Sequence, residues 1–135
     1  LEGLWWTEAP GFDGRAPADK SGFCWTSLIR QPEFVTEEVF CRARDTLAKK
    51  KPELDVSKAR FWRWREGLCA HVLHVGPYDA EPATIDRLDT FTAQAGYASD
   101  FSGTRRHHEI YLSDPRKCSP EKLRTLIRHP VRPVV

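Results

Sequence analysis

The stretch His107–Pro115, H-H-E-I-Y-L-S-D-P, constrains the fold more than any other part of this chain. It reads as a β-strand. Side chains alternate across a strand, so Glu109 and Tyr111 share one face while His108, Ile110 and Leu112 share the other. The second face reads as core. The first sets a carboxylate among apolar and aromatic neighbours, where burying a charge costs several kcal/mol unless something compensates. The rest of the chain is therefore expected to form walls and supports for the place where Glu109 points.

At 135 residues the chain is long enough for a core of its own and is read as a single domain over 1–135. Its 40% hydrophobic and 30% charged content is a soluble, globular profile. No apolar run approaches the roughly 20 residues that span a bilayer. No basic–apolar–small signal segment opens the chain, so no membrane partner and a cytoplasmic location are expected. A net charge of +2 is too weak to argue for direct nucleic-acid binding.

Cys24, Cys41, Cys69 and Cys118 are widely spaced without a C-x-x-C pair, and read as reduced thiols rather than a disulfide framework or zinc knuckle. H-H-E-I-Y is not H-E-x-x-H, and adjacent His107 and His108 point to opposite faces, so no metal site is expected. A Gly-rich phosphate loop and a recognisable Ser–His–Asp set are also missing, and no cofactor is implied. The sequence lacks methionine and opens on L-E-G-L-W-W, already strand-like, which suggests a processed or clipped chain or part of a longer one.

Along the chain, Leu4–Trp6 reads as the end of a strand and residues 7–21 as a loop rich in Gly, Pro, Asp and Ala. Phe23–Arg30 reads as a strand with Phe23, Trp25, Ser27 and Ile29 on one face. Thr36 caps a helix with Glu37 and Glu38 in its first turn, Val39, Phe40, Ala43 and Leu47 at helical spacing, and Lys49–Lys51 at its end. That lysine run reads as a solvated helix terminus. Ala59–Arg65 is a strand candidate, turned by Glu66-Gly67 into Leu68–Val75, so that the two form a hairpin. Pro82 opens a second helix whose buried stripe is expected to be Ile85, Leu88, Phe91 and Ala95, with Gly96 as its cap. A polar loop over 99–106 leads into the Glu109 strand. A short helical turn follows at Ser119–Glu121, and the last strand, Leu126–Val131, ends near Pro130.

The blocks L-E-G-L-W-W, I-R-Q-P-E-F-V-T-E-E, R-E-G-L-C, H-V-G-P-Y-D-A-E-P-A-T, H-H-E-I-Y-L-S-D-P-R and K-L-R-T-L-I-R-H-P-V closely resemble the stand-alone GyrI-like small-molecule-binding proteins, in order and over nearly the whole chain. That resemblance implies an α+β fold of the GyrI-like, SHS2 type. In it, two βαββ units meet across a pseudo-twofold axis and enclose a groove for hydrophobic, planar and often cationic ligands. The family includes a gyrase inhibitor, multidrug-sensing domains and a subgroup, similar to this chain, of cyclopropanoid cyclopropyl hydrolases. These open the cyclopropane of DNA-alkylating antibiotics of the yatakemycin and CC-1065 type. Members of that subgroup carry a further strand and helix before the L-E-G-L-W-W block. The first unit is therefore incomplete in this sequence, to be completed by a second polypeptide, a further copy or a longer chain.

The same resemblance places a glutamate at the groove floor, at the position of Glu109. Burial is expected to push its pKa up and make it a usable base near neutrality, aimed at a water. Tyr78, in the G-P-Y-D turn, is a candidate hydrogen-bond donor or groove lip. Trp6, Trp25, Phe61 and Tyr111 are candidates to sandwich a flat polycyclic ligand. His74 is a candidate proton donor or a satisfied core histidine. It lies on the opposite strand face from His71, so at most one of the two enters the groove. Trp5, Trp62 and Trp64 read as structural. The competing readings are a detoxifying hydrolase, a non-catalytic drug-binding or sensing module, and an inhibitor that acts by protein contact.

Overall fold

The strand-rich composition of both ends of the chain is used in one sheet. The computed structural model describes residues 1–15 and 20–134; the expected loop over 7–21 thus lies partly outside the described residues. Two units are present, Leu1–Ile29 with Glu66–Val135, and Arg30–Arg65.

In the larger unit, β1 (Glu2–Thr7), β2 (Phe23–Leu28), β3 (Cys69–Val75), β5 (His107–Tyr111) and β6 (Arg124–Pro133) form an antiparallel sheet in the order β2-β1-β5-β6-β3. A short β4 (Tyr97–Ser99) pairs with the far end of β6. The fold is the expected α+β class, mixing helices with an antiparallel sheet. The junction is the β1–β5 pairing, which sets Gly3 opposite Glu109 and Trp5 opposite His107.

The helix Glu81–Gln94 packs on one face of this sheet. Its Ile85 and Leu88 bury against Ile127 of β6, with Ala70 and Val72 of β3 at the margin. Phe91, expected in this stripe, is 64% exposed, and Thr92 is buried in its place. Thr92 lies closer than Phe91 to the 85–88 line on the helix surface, and its hydroxyl donates to the Leu88 carbonyl at 2.7 Å, so the buried group is satisfied. Pro82 stands in the first turn, where a missing N–H costs little, and Gly96 follows the helix at φ +81°.

β6 does not stop at Pro130 but runs to Pro133. The β5 ladder ends at the His108–Arg128 pair, and β4 takes over from Val131. Pro130 survives inside the strand because its carbonyl accepts from Asp100 N at 2.9 Å on that side, while the next N–H, of Val131, serves Leu68 O on the other.

In the smaller unit, the helix Glu37–Lys50 begins at Thr36, whose Oγ1 accepts from the Val39 N–H at 3.3 Å, with Glu37 and Glu38 in the first turn and Lys49 and Lys50 in the last. We label this helix α1 and Glu81–Gln94 α2. None of the α1 residues is buried; Phe40 meets Phe61 at 6.0 Å. The expected strand over 59–65 is not formed: the segment joins no ladder, and among the described residues β3 pairs only with β6. Its two-residue alternation survives as local geometry, with Trp62 and Trp64 stacked at 5.3 Å. Alternation sets a strand-like conformation without choosing a partner, and the hairpin across Gly67 does not form although Gly67 adopts φ +81°.

Candidate functional site

Strand parity and pairing put Trp5, His107, Glu109, Tyr111, Ile127, His129 and His74 on one sheet face, the face that α2 covers. The opposite face was expected to be core because it carries His108, Ile110 and Leu112. It is not. His108 is buried there between two carboxylates, Glu66 at Nδ1 and Glu2 at Nε2, each at 2.9 Å, and Arg128 pairs with Glu66 at 2.6 Å. Leu112 is 54% exposed. Burial pushes the Glu66 carboxyl up, but His108 and Arg128 outweigh it and hold the group below its ordinary range.

On the α2 face, Glu109 sits in a chain of hydrogen bonds. Trp5 Nε1–H donates to the Tyr111 hydroxyl at 2.9 Å, and that hydroxyl donates to Glu109 Oε2 at 2.6 Å. His107 Nε2 meets Glu109 Oε1 at 2.9 Å, and His107 Nδ1 meets His129 Nε2 at 2.8 Å. Beyond them Asp89 of α2 is held by Arg15 at 2.9 Å. Gly3 makes room for the first of these bonds. A Cβ there would lie 2.7 Å from Trp5 Nε1 and 3.0 Å from the Tyr111 oxygen.

α2 brings a second acid. Glu81, its first residue, is 7% exposed. Burial raises its carboxyl from 4.5 to about 9, with the Glu109 charge, a hydrogen bond to Glu109 and the Asp79 charge adding to the shift. The expectation that Glu109 itself has a raised pKa is overturned. Burial does push it up, but hydrogen bonds from His107, Tyr111 and Glu81 outweigh that and hold it low. The two carboxyls therefore titrate as one coupled pair, with Glu81 pushed above the ordinary carboxylate range and Glu109 held below it.

Aromatic rings flank the carboxylate. Trp25 of β2 stacks on Trp5 at 6.1 Å and 28°, and Phe23 meets Trp5 edge-on at 5.5 Å. Tyr78, in the short 3-10 turn before α2, meets Tyr111 edge-on at 6.0 Å. Burial and, after it, the Glu109 charge raise the Tyr78 pKa, keeping its hydroxyl a donor. Open, shallow depressions of the surface lie apart from this cluster, along α2 beside Phe91 and Arg87.

Of the residues singled out in the sequence, the structure brings Glu109, Tyr111, Tyr78 and Trp25 together. Trp6 points to the opposite sheet face, where its indole N–H donates to Glu8 Oε1 at 2.9 Å and the Arg106 guanidinium lies 3.2 Å above its ring. His74 is buried on the α2 face with both nitrogens engaged, Nδ1 with Thr84 Oγ1 at 2.8 Å and Nε2 with the Pro77 carbonyl at 3.1 Å. Phe61 belongs to the 30–65 unit. Sequence reasoning missed Glu81, His129, Asp89 and Arg15, which come from α2, β6 and the loop before β2. It also missed His107, which the parity of Glu109 already placed on the right face. No group of three or more His, Cys, Asp or Glu among the described residues is arranged to hold a metal ion. The four cysteines are free, and no helix is long and apolar enough to cross a membrane among the described residues.

An antiparallel sheet that carries a buried carboxyl pair on the face covered by a helix, edged with aromatics, suits a small-molecule-binding domain. The family model for the GyrI-like small molecule binding domain matches residues 29–132, and the chain belongs to that family. Three solved structures from Listeria innocua are similar over 97% of this chain. One is an uncharacterized conserved protein, at 44% identity and TM-score 0.89. Two are described as hydrolases, at 40% and 42% identity and TM-score 0.83 each. The chain spans 61–62% of the length of these three proteins. No curated protein matches it significantly.

Proposed function

We propose that this chain is the working part of a detoxifying hydrolase that adds water across the cyclopropane of planar, hydrophobic DNA-alkylating antibiotics of the yatakemycin and CC-1065 type. One observation carries the reading: two buried carboxyl groups, one pushed up in pKa and the other held low, on a sheet face edged by stacked indoles. The similar hydrolases from Listeria innocua support it.

The chemistry uses the pair as a unit. A water oxygen bonds to the cyclopropane methylene as the ring C–C bond breaks, and the electron pair flows through the conjugated system to its carbonyl oxygen. The water proton passes to Glu109 and the carbonyl oxygen takes a proton from Glu81, with the Tyr78 hydroxyl donating a hydrogen bond to that oxygen. A carboxylate with a lowered pKa is a weak base alone. Here it gains a proton only as its neighbour loses one, so the doubly protonated pair never forms. Transfer of the proton from Glu109 back to Glu81 resets the site. Trp5, Trp25 and Tyr111 present rigid rings to a flat ligand at low entropic cost.

A second reading, binding without turnover of lipophilic cations, is favoured by the persistent charge on Glu109 among aromatic rings. The two separate in one experiment: incubation with a CC-1065-type cyclopropane, followed by mass spectrometry. Hydrolysis appears as the gain of one water. Glu109→Gln is expected to retain binding and lose turnover. Normal turnover by that variant overturns the assignment, and binding by the wild type without gain of water establishes sequestration instead.

A further inference from the structure

His107 and His129 form a buried imidazole pair behind Glu109, each about 1–2% exposed. Neither is needed to contact a ligand. Their hydrogen-bond pattern can be solved from one end. Ionised Glu109 only accepts, so the proton of its bond with His107 lies on His107 Nε2. A neutral imidazole then has a bare Nδ1, and that nitrogen faces His129 Nε2 at 2.8 Å, so His129 must donate from Nε2. His129 Nδ1 is left bare and facing Asp89 Oδ1, another acceptor. The distance there is 3.6 Å, and His129 Nδ1 is a buried nitrogen without a hydrogen-bond partner. That spacing is consistent with two facing acceptors. The alternative, with His107 doubly protonated and His129 donating to Asp89 from Nδ1, would draw that contact within hydrogen-bond distance.

The surroundings maintain the neutral arrangement. Phe101 packs edge-on to the His129 ring at 5.0 Å, and Arg15 stands on the far side of Asp89. Burial lowers the His129 pKa, the Arg15 charge acts in the same direction, and the Asp89 charge opposes them without prevailing. Gly14 closes over the pair. At φ +88° it adopts a conformation that favours glycine, and a Cβ there would lie 2.5 Å from His129 Nε2 and 3.2 Å from His107 Nδ1.

We infer that His129 is a positioning residue that locks His107 as its Nε2–H tautomer and thereby aims a fixed donor at Glu109 Oε1. This inference rests on Glu109 being the working group of the site. Without the His129 donor, the buried His107 Nδ1 is unsatisfied, and the neutral ring is free to carry its proton there instead. Glu109 would then lose one of the donors that set its charge and rotamer. The role parallels that of outer residues that fix the tautomer of a functional histidine elsewhere.

Ring nitrogen-15 NMR of the histidine-labelled chain tests this without any substrate. In the wild type, Nε2 is expected to be protonated and Nδ1 bare in both His107 and His129. His107 protonated at Nδ1, alone or together with Nε2, overturns the inference. His129→Gln places an amide donor near the lost Nε2 and is expected to keep the His107 pattern; His129→Leu is expected to abolish it. With a CC-1065-type cyclopropane as probe, His129→Leu should lower kcat roughly ten- to a hundred-fold with KM little changed, the range of a lost hydrogen bond to a charged group, and His129→Gln should restore most of it. A His129→Leu chain with unaltered His107 signals and unaltered kcat overturns the inference. If the wild type does not open the probe, the hydrolase reading fails while the nitrogen spectra still decide the tautomer. If His129→Leu does not fold, the wild-type and His129→Gln spectra decide it.

Discussion

The carboxyl pair makes folding stability depend on pH in a direction opposite to carboxylates held low by ion pairs, and Glu81→Gln isolates that dependence. Glu81 ionises at 4.5 in an ordinary setting and at about 9 in the folded protein. Between those values the folded chain holds a proton that the unfolded chain has released. Stability from this group is therefore fully present below the lower value and is lost as pH rises through the upper one, at about 1.4 kcal/mol per pH unit for one proton. At pH 7 the accumulated loss is roughly 3 kcal/mol. Glutamine has nearly the same volume, cannot ionise and still offers an N–H to Glu109. Glu81→Gln is expected to match the wild type near pH 5 and to exceed it by roughly 3 kcal/mol at pH 7, while losing the proton needed for turnover. Urea unfolding followed by tryptophan fluorescence, in steps from pH 5 to 9, measures both curves. His129, whose lowered pKa gives a slope of the opposite sign below its ordinary value, is common to both proteins and cancels in the difference. Parallel curves for the two proteins refute the one-proton pair.

Tyr111→Phe removes the hydroxyl that accepts from Trp5 and donates to Glu109. It should cost about 1–3 kcal/mol in urea unfolding, the range for stranding a buried donor, and should raise the pKa of Glu109 as read by carboxyl carbon-13 NMR. An unshifted Glu109 signal would mean the hydroxyl does not bear on its charge. Gly14→Ala places a methyl against the His107–His129 bond in a left-handed backbone conformation. The expected loss is about 1–3 kcal/mol, together with displaced ring-nitrogen signals for both histidines; a variant as stable as the wild type would show that the loop does not press on the pair.

The period-two strands other than 59–65, the cap at Thr36, the helix opened by Pro82 and the shared face of Glu109 and Tyr111 were legible in the residues alone. These follow from spacing and from local chemistry at chain neighbours. They also carried the resemblance that the family match later showed. What the site does with its charge was not legible. Burial read from one strand says that Glu109 should be protonated, yet its pKa is held low by its neighbours two places either side on β5, His107 and Tyr111, and by Glu81 of α2, and the raised pKa falls on Glu81 instead. In the same way, 59–65 has the alternation of a strand, but a ladder requires a partner, and β3 pairs with β6. His107 needed only the parity rule. His129, Asp89 and Arg15 needed the register of β6, the rotation of α2 and the path of the loop before β2. Local pattern fixes conformation and facing, whereas protonation and pairing depend on which distant groups the fold brings within about 3 Å, and that is a property of the assembled fold rather than of any one stretch of chain.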